Sequence, residues 1–151
     1  MDYYKIYMQK ELDGAEVIDT IGSFGLYCVD IPFKIADSVK EIASRDWHDE
    51  DGLDEYIPKT GLRFSAYDMD VKFGFKGDKF AANDSINALL EYLKSGYVKI
   101  YCDYTKIGRQ HVRLNKLNDN AELVRDGDGD ILIFSVNLKV CDPLTEIVLS
   151  K

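Results

Sequence analysis

The sequence has few cysteines, few prolines and no long apolar run. Its three cysteines, Cys28, Cys102 and Cys141, form no C-x-x-C pair, so neither a disulfide framework nor a structural zinc site is expected. No stretch approaches the roughly 18 apolar residues that span a bilayer, and the chain does not open with a basic segment followed by an apolar one. We therefore expect a protein with no signal peptide and no membrane partner.

Motifs of catalysis and nucleotide binding are also missing. The sequence contains no G-x-S-x-G, no H-E-x-x-H and no P-loop, each of which places reactive or phosphate-binding groups in a fixed local geometry. An enzyme that pairs Cys102 with His111 on adjacent predicted strands is the weakest alternative, because a cysteine on an alternating strand usually packs in a core. We expect no enzyme activity and no cofactor.

What the chain has in excess is acid. Its 151 residues carry 27 Asp and Glu against 19 Lys and Arg, a net charge of −8. Residues 1–75 account for the whole excess, and six of the ten residues 46–55 are acidic. This balance argues against a protein that grips nucleic acid through a broad basic face.

Alternation of apolar and polar residues predicts a β-rich chain. In residues 67–76 the apolar side chains fall on odd positions with charged ones between them, a period of two that buries one face of a strand and leaves the other in water. Residues 132–140 repeat the pattern, and the Asp-Gly-Asp-Gly segment 126–129 precedes them as a hairpin turn would. Further strands are predicted at residues 4–8, 98–104, 113–116 and 121–125.

Helical spacing is confined to two segments. Residues 82–93 carry one apolar stripe, and Asn83 or Asp84 is expected to cap the start of this helix. A weaker helix is predicted over residues 35–44. The length and the 46% hydrophobic content suit one domain spanning residues 1–151. The predicted fold class is mainly β (α+β), an antiparallel β-sandwich or partly closed barrel flanked by one main α-helix.

The acidic loop 46–55 allows two interpretations. It lacks the spacing of an EF-hand, so it is either a calcium or ligand site of a small β-sandwich binding module, or a solvated loop anchored by Trp47. The solvated loop is favoured. Asp126, Asp128 and Asp130 also look like a calcium loop, but the strand that follows them at once favours a turn. No metal is expected.

A basic cluster lies in the second half of the chain, at Lys106, Arg109, His111, Arg113 and Lys116. Because the net charge is −8, the acidic loop of a neighbouring copy is a better partner for it than phosphate is. An ordinary mixed surface is the alternative. The ten tyrosines are many for this length, and tyrosine is frequent at protein–protein interfaces, where it supplies contact area with little loss of entropy.

Three segments of the chain resemble small tail proteins of bacteriophages and prophages. They are the acidic stretch 45–58, the long strand 61–77 that ends in a lysine-glycine turn, and the strand and turn 98–110 that end in glycine-arginine-glutamine. The resemblance covers roughly residues 40–142. It implies the β-sandwich with a flanking helix that tail tube, distal tail and related ring-forming proteins share. It also implies a non-enzymatic structural subunit in a ring, commonly hexameric, around a channel for DNA.

The resemblance also directs where partners are expected. A ring needs a heterologous interface, in which one patch meets a different patch of the next copy. The expected interface residues are Asp46, Trp47, Asp49, Glu50, Asp51, Asp54 and Glu55 on one side and Lys106, Arg109 and Arg113 on the other. Other tail proteins are further partners, and DNA is expected to pass an acidic wall without specific binding. The implied location is the host cytoplasm during assembly and then the virion tail.

Overall fold

The computed structural model describes residues 4–33, 38–77, 79–118, 122–126 and 129–150. The strands are β1 (Ile6–Lys10), β2 (Ile18–Asp19), β3 (Tyr27–Asp30), β4 (Ser44–Arg45), β5 (Asp54–Glu55), β6 (Tyr67–Gly77), β7 (Val98–Cys102), β8 (Ile107–Leu117), β9 (Glu122–Asp126) and β10 (Gly129–Val140), and the helices are α1 (Thr20–Phe24) and α2 (Lys79–Leu93). Within these ranges, no helix combines the length and the apolar content that crossing a membrane requires.

Eight of the strands form one antiparallel sheet. Its order is β2-β1-β7-β8-β10-β6-β3, and β9 pairs with β10 beside this path. The Tyr4 backbone N–H, just before β1, donates to the Cys28 carbonyl of β3 at 2.8 Å, so β3, at one end of the sheet, contacts the chain beside β1 near the other end. The mainly β fold class with one main helix is therefore confirmed, and the sheet curls far enough to close part of a barrel.

The core lies inside this curled sheet. Alternate residues of β6 and β10 point into it, among them Val71, Phe73, Val136 and Leu138, all less than 1% exposed. Helix α2 adds Leu89 and Leu93 to the same cluster. The alternation predicted for both strands is confirmed, because burying one face of each strand removes its apolar side chains from water. One cluster suits one domain, although the extent 1–151 stays a prediction.

Two local predictions were wrong. Helix α2 begins at Lys79, so Asn83 and Asp84 lie inside it and cannot cap its start; the two alanines that precede Asn83 favour helix and extend it backwards. Residues 34–37 of the weaker predicted helix lie outside the described residues. Residues 38–44 are extended, since the Ser65 and Tyr56 N–H groups donate to Ser38 and Ala43 carbonyls. Strand pairing outweighs helical spacing there.

The turn at residues 126–129 is confirmed as a hairpin. Strands β9 and β10 pair antiparallel, with Asp126 opposite Gly129. The side chains of the predicted aspartate trio lie outside the described residues.

A chain of side-chain hydrogen bonds crosses the outer face of β8, β10 and β6. Asn137 is only 6% exposed; its amide donates to Asp70 Oδ1 at 2.8 Å and its oxygen accepts from Asn115 at 2.7 Å. The Asn118 amide donates to Asp70 and to Ser135 Oγ. Because Asn115 is the extra residue where the β8–β10 register shifts, these bonds hold a β-bulge in place.

We expect Asp70 to make stability depend on pH at the acid end. Hydrogen bonds from Asn137 and then Asn118 hold the pKa of Asp70 below its usual value of 3.8. A carboxylate whose pKa is lower in the folded state stabilises the protein above the unfolded-state pKa, and the contribution is lost as the pH falls through the folded pKa. Urea unfolding of Asp70→Asn should therefore show a lower free energy of unfolding at neutral pH and a flatter decline below about pH 4.

The matched control is Asp68→Asn, which neutralises a carboxylate two residues away that makes no hydrogen bond to these amides. It should keep the wild-type acid decline. An Asp70→Asn protein whose stability falls with acid as steeply as the wild type would contradict the role of Asp70.

Candidate interface: the arm and the outer sheet face

Residues 38–65 form a long β-hairpin, here called the arm, between β3 and β6. Its base is held by an antiparallel bridge between Val39 and Phe64 and by the Lys40 N–H donating to the Arg63 carbonyl at 2.8 Å. Strands β4 and β5 pair nearer the end. Residues 46–53, here called the tip, join these two strands. Eight residues at ~3.3 Å each allow the tip to reach up to about 25 Å from the base.

No residue of the arm is buried. Every one from 38 to 63 is exposed except Ile42 and Gly61, which are intermediate. Six large apolar side chains are among the exposed ones, at Val39, Trp47, Leu53, Tyr56, Ile57 and Leu62, and Tyr56 is 70% exposed. Apolar side chains gathered on one protruding element are typical of a surface that another molecule covers.

The predicted acidic residues all lie at this end of the arm. Asp46, Asp49, Glu50 and Asp51 are on the tip, and Asp54 and Glu55 form β5. All six are exposed, and none forms an ion pair within the described part of the chain. Trp47 is 43% exposed, with the Arg45 guanidinium 5.3 Å from its ring centroid, so it is not the buried anchor that the sequence predicted.

The geometry of the arm does not support the calcium alternative. Across the described ranges, which include the whole loop 46–55, no three His, Cys, Asp or Glu side chains come together as metal ligands would. The two concave surfaces on the arm have volumes of about 330 and 230 Å³ and are open to solvent. The larger is lined by Arg45, Asp54, Glu55 and Tyr56.

The predicted basic cluster is divided by the fold. Arg109 is only 2% exposed; it donates to the Gly108 carbonyl at 2.9 Å and lies 4.0 Å from Glu146. It therefore belongs to the interior of the subunit rather than to an exposed patch. Lys106 is exposed in the β7–β8 turn, where it pairs with Asp103 at 3.0 Å.

His111 lies in a second bulge of β8, where the register with β7 shifts between Val98 and Ile100. Its φ of 53° is left-handed, an unusual conformation for a residue with a side chain. The Glu11 carboxylate makes two hydrogen bonds to this residue, one with the ring Nδ1 at 2.7 Å and one from the backbone N–H at 3.3 Å. The ring also meets Tyr97 edge-on, with centroids 5.2 Å apart.

The Cys102–His111 pair is not formed. Cys102 pairs with Ile107 in the β7–β8 register, whereas His111 is adjacent to Val112, which pairs with Val98 at the other end. Four residues along a strand separate them by roughly 13 Å. Cys28 and Cys102 are fully buried, and burial raises the pKa of the Cys28 thiol, which opposes formation of a thiolate.

Arg113 and Lys116 lie on the outer face of β8, beside two lysines that were not part of the predicted cluster. Lys139 is opposite both Arg113 and Asp68, and Ser135 is opposite Lys72. We call Lys72, Arg113, Lys116 and Lys139 the cationic face. None of the four forms an ion pair with a described carboxylate. The alternation of apolar and polar residues predicted that these lysines face solvent, but only the strand register places them side by side.

The tyrosines are divided between core and surface. Tyr101 is 4% exposed and stacks with Tyr7, with centroids 6.4 Å apart. Tyr104 is exposed and lies 5.5 Å from Tyr4. Tyrosine content therefore does not by itself mark an interface.

Sheet, helix and arm together define a β-rich α+β domain with the fold of a phage tail protein. In particular, the chain is similar to the crystal structure of SPP1 Dit (gp 19.1), described as a paradigm of the hub adsorption apparatus in Gram-positive infecting phages. The TM-score is 0.56 at 16% identity, over 91% of this chain and 50% of that one. This chain thus spans about half the length of that protein. No protein-family model matches the sequence, and no curated protein matches it.

Proposed function

We propose that this chain is a non-enzymatic structural subunit of a phage or prophage tail that forms or joins a ring around the DNA channel. The observation that carries the proposal is the shared fold with a tail hub protein over 91% of the chain. A distal tail or tube-like position is the first candidate, and tail completion is the second. The partners are further copies of this chain and other tail proteins, first in the host cytoplasm and then in the virion.

The arm supplies the physical reason for assembly. A hairpin of two strands is marginally stable in water by itself, and this one contributes no residue to the core. Packing its apolar side chains against another subunit would remove them from water, which stabilises the contact by about 25 cal/mol per Å² of apolar surface buried. An arm that reaches out from one subunit to a different patch on the next is a heterologous contact, which closes into a ring when the rotation between copies allows it.

The charge distribution suits passage of DNA. With a net charge of −8, a ring of many copies would present little affinity for a polyanion unless its cations faced the channel. We therefore expect the cationic face to lie away from the channel, so that DNA slides through without specific binding.

Native mass spectrometry and negative-stain microscopy over a concentration series test the proposal. Closed rings with a central hole are the expected result. A strict monomer at every concentration, also in the presence of purified tail tubes, would contradict it. Such a monomer would favour the binding module, which a calcium titration of the melting temperature would then test.

A further inference from the structure

The cationic face and the arm tip do not meet within one subunit. The face begins at the start of β6, where Asp68 and Lys139 are opposite each other, and this is also where the arm leaves the sheet. The tip is at the far end of the arm, up to about 25 Å away. The six carboxylates of residues 46–55 form no ion pair with a described cation. Contact between them therefore requires a second molecule.

The cationic face carries more cations than carboxylates. Arg113 and Lys139 are directly opposite on neighbouring strands, an arrangement of like charges that is unfavourable in a sheet. Three carboxylates share this face: Asp30 is opposite Lys72 and Asp68 is opposite Lys139, and Asp70 accepts from the amides of Asn137 and Asn118. Arg113 and Lys116, in contrast, are not opposite a carboxylate in the pairing with β10. An acidic partner would relieve the repulsion between Arg113 and Lys139.

The amide network fixes the backbone from which the side chains of this face project. Asn137 is buried and bonded at both ends of its amide, which fixes the bulge at Asn115 and the register of the residues on either side. Lys116 follows Asn115 directly, and Lys116 and Lys72 both act on Asp70 electrostatically. A rigid base of this kind presents charges in a constant geometry, which favours a specific partner.

We infer that the acidic arm tip of one copy docks on the cationic face of the next copy. The inference rests on the proposed function and adds to it the receiving surface, the register of the ring and a dependence on salt. The tip offers Asp49, Glu50 and Asp51 to Arg113, Lys116 and Lys139, while the apolar side chains nearer the base of the arm pack beside them. Because each copy carries one tip and one face, the contact is heterologous and repeats around a ring.

Two charge-reversed variants test the pairing. The first carries Asp49→Lys, Glu50→Lys and Asp51→Lys on the tip; the second carries Arg113→Glu, Lys116→Glu and Lys139→Glu on the face. Each variant by itself brings like charges together at every contact, so its self-association should weaken on the order of tenfold or more. Mixed in equal amounts, they restore opposite charges at every contact between unlike copies and should form rings in which the two variants alternate.

A control protein carries Lys5→Glu, Lys10→Glu and Lys94→Glu, the same charge change away from the face, since Lys10 lies over the Tyr92 ring of α2, and should assemble like the wild type. Circular dichroism and melting temperature establish that each variant is folded. Sedimentation and native mass spectrometry measure assembly, and the wild-type association should weaken as salt is raised.

The outcomes separate this inference from the proposed function. If a protein without its arm stays monomeric but the two reversed variants fail to complement each other, the arm is an interface and this receiving face is wrong. If the face variant assembles normally but loses binding to a DNA oligonucleotide that the wild type retains, the face serves a polyanion and the inference is overturned. If the wild type forms no rings and incorporates into no tail tube, the proposed function fails first.

Discussion

Shortening the arm should leave the subunit folded and abolish its assembly. Residues 41–62 can be replaced by Asn-Gly, because Lys40 and Arg63 are already hydrogen-bonded neighbours and this dipeptide closes a two-residue hairpin turn. The removed segment contains seven exposed carboxylates and most of the exposed apolar side chains of the arm. It supplies no core residue, so the melting temperature should shift by no more than a few degrees, roughly what 1 kcal/mol produces.

Sedimentation velocity over a concentration series is the measurement, and a monomer at every concentration is the expected result. A second variant separates length from chemistry. Trp47→Ser, Tyr56→Ser and Ile57→Ser keep the arm but remove three of its six large apolar side chains, and should also impair assembly. The matched control carries Leu12→Ser, Tyr104→Ser and Val148→Ser, three exposed apolar residues elsewhere. Rings formed equally well by the armless protein would remove the arm from the interface.

Replacing Gly108 by alanine should dislodge the C-terminal segment from the sheet. A Cβ on Gly108 would overlap the Ile147 carbonyl oxygen and lie 2.9 Å from the Ile147 side chain. Backbone atoms cannot yield as a flexible side chain does, so residues 143–150 must shift. Overpacking of this kind costs about 1–3 kcal/mol, which lowers the melting temperature of a chain this long by several degrees.

The reason for so large an effect is that four successive residues of β8 hold this segment. The Cys141 N–H donates to the His111 carbonyl at 3.1 Å, and the Gln110 amide donates to Asp142 at 2.8 Å. Arg109 faces Glu146, and Gly108 faces Ile147. Losing the last contact would also expose Leu149, which is buried in the wild type.

Hydrogen exchange of residues 141–150 measures the displacement directly and should rise in Gly108→Ala. Gly22→Ala is the matched control, since a Cβ there meets nothing within 4 Å. In a chain that ends at Asp142, Gly108→Ala should cost little further stability, because its clash partner is gone. An equal loss of stability in the full and the shortened chain would show that the clash is not the cause.

The strongest sequence signals concerned single elements. The alternation in residues 67–76 and 132–140 predicted two strands with the correct buried faces, because burial of one face imposes a period of two wherever the strand lies in the sheet. The stripe at residues 82–93 predicted helix α2 although not its first residue. The Asp-Gly-Asp-Gly segment predicted the β9–β10 turn. Each of these signals depends on residues close to one another in the sequence.

Signals that needed distant residues were less reliable. Arg109 was grouped with exposed cations because it lies among them in the sequence. The register shift between β7 and β8 and the C-terminal segment bury it in the structure. Lys72 and Lys139 were not grouped with Arg113, because residues on three different strands become neighbours only through the register. Residues 38–44 were assigned to a helix because their partner strand lies at residues 54–65, beyond the reach of a local pattern.

The sequence by itself determined that this protein is acidic and β-rich with one main flanking helix, and that its excess acid is concentrated in residues 46–55. The tertiary structure alone decided that this acidic stretch stands at the end of an exposed arm, that Arg109 is internal, and that four cations from three strands form one face. The physical reason is the range of the interactions. Burial of one face of a strand or helix produces a pattern among residues that are close in the sequence. Strand register and the exposure of a hairpin depend instead on pairing partners that lie far apart in the chain.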